Sequence, residues 1–282
     1  MRRLTRDDGD RTRDWAWDLR PANFRLRRLG ERKQASDGSR RAQGGVPARL
    51  EDLAPGGEAF APDGSAVWVV SQDISERDPD RAHLGDSVIR RLANAPHDPL
   101  LRSLAPRGLA AEEVLFVDLE TTGLQSSPLF LIGVMYWTGQ GLQVRQYFAR
   151  DYTEEPAAIQ LFLSELDRCG LLVSFNGKSF DWPYVQMRAA ATLVGKPQEP
   201  AHLDLLLEAR RVWKPSVPDC RLQTLEEHIC GRPPRVGDIP GAEIPQAYHD
   251  FVETGDAREM AVVLEHNLLD LVTLAELLVR LP

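Results

Sequence analysis

The sequence predicts an α/β fold: a mixed sheet with antiparallel hairpin strands, flanked by helices. Three observations carry this reading. Val114-Leu115-Phe116-Val117 is a continuous apolar run, as a strand buried on both faces requires. Leu129–Trp137 and Leu142–Phe148 are two further strand-like runs. The turn Thr138-Gly139-Gln140-Gly141 joins them and makes them antiparallel neighbours. After these come a helix, a strand and a run of helices, an order that suits a mixed rather than an all-parallel sheet.

The elements follow in order along 282 residues. Residues 1–48 are rich in Arg, Asp, Gly and Ser without sustained period, and read as a flexible basic arm punctuated by Trp15, Trp17 and Phe24. Residues 49–110 form a small extension whose residues 58–74 predict a hairpin around Pro62-Asp63-Gly64. Within it, residues 87–92 are a short helical candidate. The main domain is expected over residues 111–282. There, residues 154–168 are helical, with Ile159, Phe162, Leu163 and Leu166 on one side, and residues 171–175 are a buried strand. Four helices are expected at 179–193, 204–212, 222–230 and 257–281.

Composition narrows the function. At 43% hydrophobic and 27% charged residues the chain as a whole is globular, and no stretch is apolar for long enough to span a membrane. The N-terminus lacks the apolar core of a secretory signal, and three cysteines without a CxxC pair fit a reducing cytoplasm. Residues 1–50 carry a net charge of +7, against −8 for the whole chain. The acidic body disfavours bare electrostatic binding of nucleic acid, but not an enzyme whose clustered carboxylates hold divalent ions.

Three stretches carry chemistry. In Phe116-Val117-Asp118-Leu119-Glu120-Thr121-Thr122-Gly123, strand alternation sets Asp118 and Glu120 on one face, about 7 Å apart. Like charges there repel unless solvent or a cation lies between them. In Ser174-Phe175-Asn176-Gly177-Lys178-Ser179-Phe180-Asp181, the ending resembles a phosphate loop, but Leu172 stands where such a loop needs its first glycine. Asp181, near a helix start, suits a cap or an active acid. In Glu265-His266-Asn267-Leu268-Leu269-Asp270, His266 and Asp270 lie one helical turn apart, beside the stripe Ala261, Leu264, Leu268, Leu271 and Leu278. They suit either a surface pair or a base beside a metal ligand.

Together, FVDLETTG, SFNGKSFD and HNLLD resemble the three motifs of the DEDD 3′–5′ exonuclease superfamily, which has a ribonuclease-H-like fold. The similarity is greatest to its bacterial YprB-type domains, also through HLDLLLEARR, CRLQTLEEHICG and DIPGAEIPQAYHDFVETGD, and runs from about residue 113 to 281. The resemblance implies that Asp118, Glu120, Asp181 and Asp270 are metal ligands and that His266 is the general base. One position departs from the pattern. His266 stands four residues before Asp270, where the tyrosine branch has Tyr, whereas the histidine branch has His five before.

Two Mg²⁺ or Mn²⁺ ions are then the expected cofactors, since hard ions prefer oxygen ligands and a pair clamps the attacking and leaving oxygens. Asp118 is expected to bridge them, with Glu120 and Asp270 completing one site and Asp181 reaching the other through water. A nearby cation pair should lower the pKa of His266. The expected activity is hydrolysis from single-stranded DNA or RNA ends, with no membrane partner. A structure-specific endonuclease and a nucleic-acid-binding adaptor are the alternatives. Lys178, Lys214, Arg221 and Arg235 are candidate phosphate contacts, and Leu124 a candidate wedge against a terminal base. Asp204 reads as a helix cap, Trp182 and Tyr184 as packing groups, and His202, His228 and His249 as structural.

Overall fold

Strand β3 (Val114–Thr121) organises the molecule, because its alternate residues feed two different cores. A computed structural model describes residues 46–123 and 126–282. The basic arm expected over residues 1–48 therefore falls almost wholly outside the described residues, and Leu124 lies outside them too. The other strands are β1 (Gly57–Phe60), β2 (Ala66–Asp73), β4 (Leu129–Trp137), β5 (Leu142–Phe148), β6 (Leu171–Ser174) and β7 (Ala201–Asp204). They form a single sheet in the order β1-β2-β5-β4-β3-β6-β7. Neighbours are antiparallel from β1 to β3, and β3, β6 and β7 are mutually parallel. The mixed sheet is therefore as expected.

The hairpin expected over residues 58–74 is present as β1 and β2, with Gly64 in the left-handed region at φ 86°. Its second strand pairs with β5, so residues 49–110 extend the main sheet instead of forming one of their own. The helices are α1 (Leu50–Leu53), α2 (Ile74–Arg77), α3 (Ala82–Ala93), α4 (Glu155–Leu166), α5 (Asp181–Ala191), α6 (Leu205–Val212), α7 (Leu222–His228), α8 (Ile244–Thr254) and α9 (Arg258–Arg280). Among the described residues, no helix is long and apolar enough to cross a membrane. Besides the one-turn helices α1 and α2, two elements depart from the expectation. β7 is only four residues long, too short for its Ala-His-Leu-Asp alternation to stand out, and α8 begins at Ile244-Pro245, where proline is tolerated in a first helical turn.

On one face, Val114, Phe116, Met135 and Val173 meet α3 and the apolar stripe of α9 from Leu268 to Leu278. On the other, Leu115, Val117, Ile132 and Val134 meet Ile159 and Phe162 of α4 and Trp182 and Val185 of α5. Trp182 and Tyr184 are packing groups, as the sequence suggested. A third cluster seats α8 on the sheet, where the rings of Phe130 and Tyr248 stack at 4.1 Å between centroids.

One glycine sets how closely α9 can lie on the sheet. A Cβ on Gly133 in β4 would stand 2.1 Å from Oδ1 of Asn267 in α9. Gly133→Ala is expected to cost about 1–3 kcal/mol, read as a lower urea midpoint at unchanged slope, because backbone and a buried amide must part.

Candidate active site

Alternation along β3 turns Asp118 and Glu120 to the face that also carries Val114 and Phe116, the face covered by α9. Asp118 sits opposite Gly133 in the ladder, directly beneath the close approach of α9. Asn267 takes advantage of that approach. Its Nδ2 donates to Asp118 Oδ2 at 2.9 Å and to the Asp118 carbonyl at 3.2 Å, and its Oδ1 accepts from Gln146 Nε2 at 2.8 Å. Gln146 also donates to the Leu264 carbonyl at 2.8 Å, so two fully buried amides hold one carboxylate in place.

Asp181 is the first residue of α5, and the N-cap position is Phe180, so its carboxylate is not the helix cap. The loop before it is clamped from β7. Asp204 accepts from the N–H of Leu206 at 3.0 Å, the capping role expected for it, and also from those of Asn176 at 2.8 Å and Lys178 at 3.2 Å. Gly177 is needed where the loop turns, since a Cβ there would lie 2.1 Å from Ser174 Oγ and 2.9 Å from Asp181 Oδ2. Behind the loop, Ser174 Oγ meets His202 Nε2 at 2.7 Å and His202 Nδ1 meets Glu199 Oε1 at 2.9 Å. That chain has the order of a nucleophile relay, but Ser174 is fully buried, so it braces the loop. His202 is thus structural, as expected.

Helix α9 supplies the remaining groups. His266 is no surface residue, being 9% exposed. Its Nδ1 meets Asp238 Oδ1 at 2.8 Å, while Nε2 stands 3.5 Å from Asp270 Oδ2. Asp270 Oδ1 accepts from Arg235 Nη2 at 2.6 Å. Arg235 therefore does not act as the exposed phosphate contact suggested by the sequence. Its side chain is buried and anchored on Glu226 of α7 at 2.6 and 2.9 Å. Lys178, Lys214 and Arg221 are exposed.

The acids share one electrostatic environment. Burial, then the carboxylates of Asp270, Glu120 and Asp181, hold Asp118 well above the usual carboxylate range, against the hydrogen bond from Asn267. Burial pushes Glu120 up to about 8, with the His266 cation opposing and Asp270 and Asp181 adding. Burial likewise brings Asp181 to about 7 and raises Asp270, the latter against His266 and Arg235. His266 behaves differently. Burial alone would lower it, but the hydrogen bond to Asp238 and the charges of Asp270 and Glu120 raise it to about 9. The depression expected of its pKa therefore requires that the charge of those carboxylates be neutralised.

Four carboxylates that repel one another, with oxygen as the sole donor type, suit hard divalent cations in their chemistry. As the side chains stand, no three His, Cys, Asp or Glu among the described residues surround a common point, and Asp270 is turned to Arg235.

A testable pH dependence follows. Each acid has a folded pKa above its unfolded value near 4, so the fold keeps protons that the unfolded chain releases. Stability without metal should fall as pH rises from about 4 to about 8. His266 works the same way, since its contribution is complete below about 6.5 and lost on passing about 9. The melting temperature in EDTA should decline from about pH 5 to about pH 8.5, and Mn²⁺ should raise it more at the higher pH. A flat profile would mean that the acids do not interact as described.

A family model of the RNase_H superfamily matches residues 115–282, more than half of the chain. The chain belongs to that superfamily. Among relatives of this ribonuclease-H-like domain is the uncharacterized protein YprB of Bacillus subtilis (strain 168), 34% identical over 187 residues. That match covers 64% of this chain and 45% of YprB, so the chain spans less than half of the relative's length. A family B DNA polymerase from the hyperthermophilic archaeon Pyrobaculum calidifontis resembles it with a TM-score of 0.44 and 21% identity, over 58% of this chain and 24% of the polymerase. The ribonuclease-H-like domain is thus of YprB type, and its superfamily supports nuclease-type chemistry on nucleic acid.

Three supporting groups of this domain were missed in the sequence. Asn267 falls between Leu264 and Leu271 on the buried stripe, and Gln146 falls at an inward position of β5. A polar residue in an apolar row was the available signal for both. Asp238 lies in an irregular segment that offered none.

Proposed function

We propose that this chain is a metal-dependent 3′–5′ exonuclease of the DEDD type, acting on the ends of single-stranded DNA or RNA. What supports the reading is that Asp118 and Glu120 both feel the carboxylates of Asp181 and Asp270, with His266 beside Asp270. Those four acids would hold two Mg²⁺ or Mn²⁺ ions. Once bound, such a pair supplies the positive charge that stabilises a phosphodiester undergoing attack by water.

The chain's own groups do the rest. Asn267 fixes Asp118, and the clamp from Asp204 fixes the loop that presents Asp181. Neutralising Asp270 and Glu120 removes two of the influences that keep His266 protonated. The ring can then accept the proton of the attacking water at Nε2, since Nδ1 is occupied by Asp238. Three cysteines without a disulfide fit a reducing compartment, and we place the protein in the cytoplasm.

The test is a single gel with Mg²⁺ or Mn²⁺. A 5′-labelled single-stranded oligonucleotide, DNA or RNA, should shorten stepwise from its 3′ end, while circular single-stranded DNA stays intact. Cleavage of the circle at a similar rate would replace the exonuclease reading with an endonuclease. No cleavage of any substrate would favour an adaptor.

A further inference from the structure

We propose that Asp238, which belongs to none of the three acidic motifs, is the positioning residue that fixes the orientation and proton position of His266. It lies between α7 and α8, far in sequence from α9, yet its Oδ1 is 2.8 Å from His266 Nδ1. This inference rests on the reading of His266 as the base.

Asp238 is itself held from several sides. The N–H of Ile239 donates to Oδ1 at 2.9 Å, and Gln223 Nε2 of α7 donates to Oδ2 at 3.0 Å. Arg235 Nη1 stands 3.6 Å from Oδ2. Arg235 is in turn fastened to Glu226 and to Asp270 and donates to the His266 carbonyl at 3.4 Å. The carboxylate cannot swing off the ring without breaking these contacts, so its direction is set before substrate arrives.

The consequence for the ring follows from the bonding rules of imidazole. A carboxylate only accepts, so the neutral ring must carry its proton on Nδ1, which leaves the lone pair on Nε2. Nε2 is the nitrogen that faces Asp270 and the acid cluster. The other tautomer would leave Nδ1 and Asp238 as two acceptors face to face, and a ring flipped about its axis would lose the bond altogether. After the ring takes a proton, the same carboxylate stabilises the imidazolium. That division of labour between base and orienting acid recurs in unrelated hydrolases.

The experiment has two readouts, one of them independent of turnover. In the metal-free full chain, a proton held between Nδ1 and a carboxylate should give a ring N–H signal well downfield of the amides, absent from His266→Gln. Asp238→Asn should lose that signal or move it upfield, and Asp238→Ala should do the same. With a labelled oligonucleotide and Mn²⁺, both variants should show kcat lowered roughly 10–100-fold, with KM and the calorimetric affinity for Mn²⁺ unchanged. Persistence of the signal in Asp238→Asn overturns the proposal, and so does an unchanged kcat once the signal is gone. If the wild-type chain cuts nothing, the nuclease reading fails, while the spectrum still decides whether Asp238 holds the ring.

Discussion

Asp118→Asn is expected to bring hydrolysis to background, a loss of at least about 10³-fold, while leaving the protein folded. Asp118 is the acid that feels all three of the others, so any arrangement of two ions among these groups depends on it most. The substitution keeps the shape of the side chain, and its amide oxygen can still accept from Asn267. It also removes one charge from a group of four that repel each other. The variant without metal should therefore melt no lower than wild type, and at about pH 8 somewhat higher. Mn²⁺ titration by calorimetry should lose its tight binding in parallel with activity. Two tight sites surviving in Asp118→Asn would contradict the ligand assignment, and wild-type turnover would end the two-ion reading.

His266→Ala should lower the rate by roughly 10²–10⁴ and leave Mn²⁺ binding largely intact. Its ring lies beside Asp270 without a close hydrogen bond to it, so the carboxylates do not need it for their positions once cations are present. Without metal the outcome differs, because the ring then supplies a positive charge to Asp238, Glu120 and Asp270. The variant should accordingly lose stability in EDTA and regain most of it with Mn²⁺. The limb of the pH–rate profile that rises as the ring loses its proton should vanish. Full activity in His266→Ala would remove the residue from the mechanism and leave Asp238 without a function to support.

What could be read in advance differs from residue to residue. The apolar run 114–117 and the glycine turn at 138–141 were legible, since burial on two faces and a tight reversal each leave a local mark. Asp118 and Glu120 on one face followed from alternation alone. Their meeting with Asp181 and Asp270 did not, because no spacing in the chain reports a distance across α9, and only the resemblance of the motifs predicted it. The segment of Arg235 and Asp238 was opaque for a different reason. It has no period, and a buried ion network formed by a loop looks in sequence like ordinary solvated charge. Arg235 was accordingly placed outside, whereas it lies between Glu226 and Asp270. The prolines and glycines around residue 240 read as loop and concealed the helix that starts at Ile244.

Helix α9 contributes Asp270, His266 and the Asn267 amide that steadies Asp118, and it is made after every other element described. During synthesis, β3 and the start of α5 leave the ribosome well before the helix that completes their pocket. A growing chain therefore holds Asp118, Glu120 and Asp181 before Asp270 and His266 are there to join them. On the proposed reading, no cleavage is expected from the chain until α9 docks on the sheet.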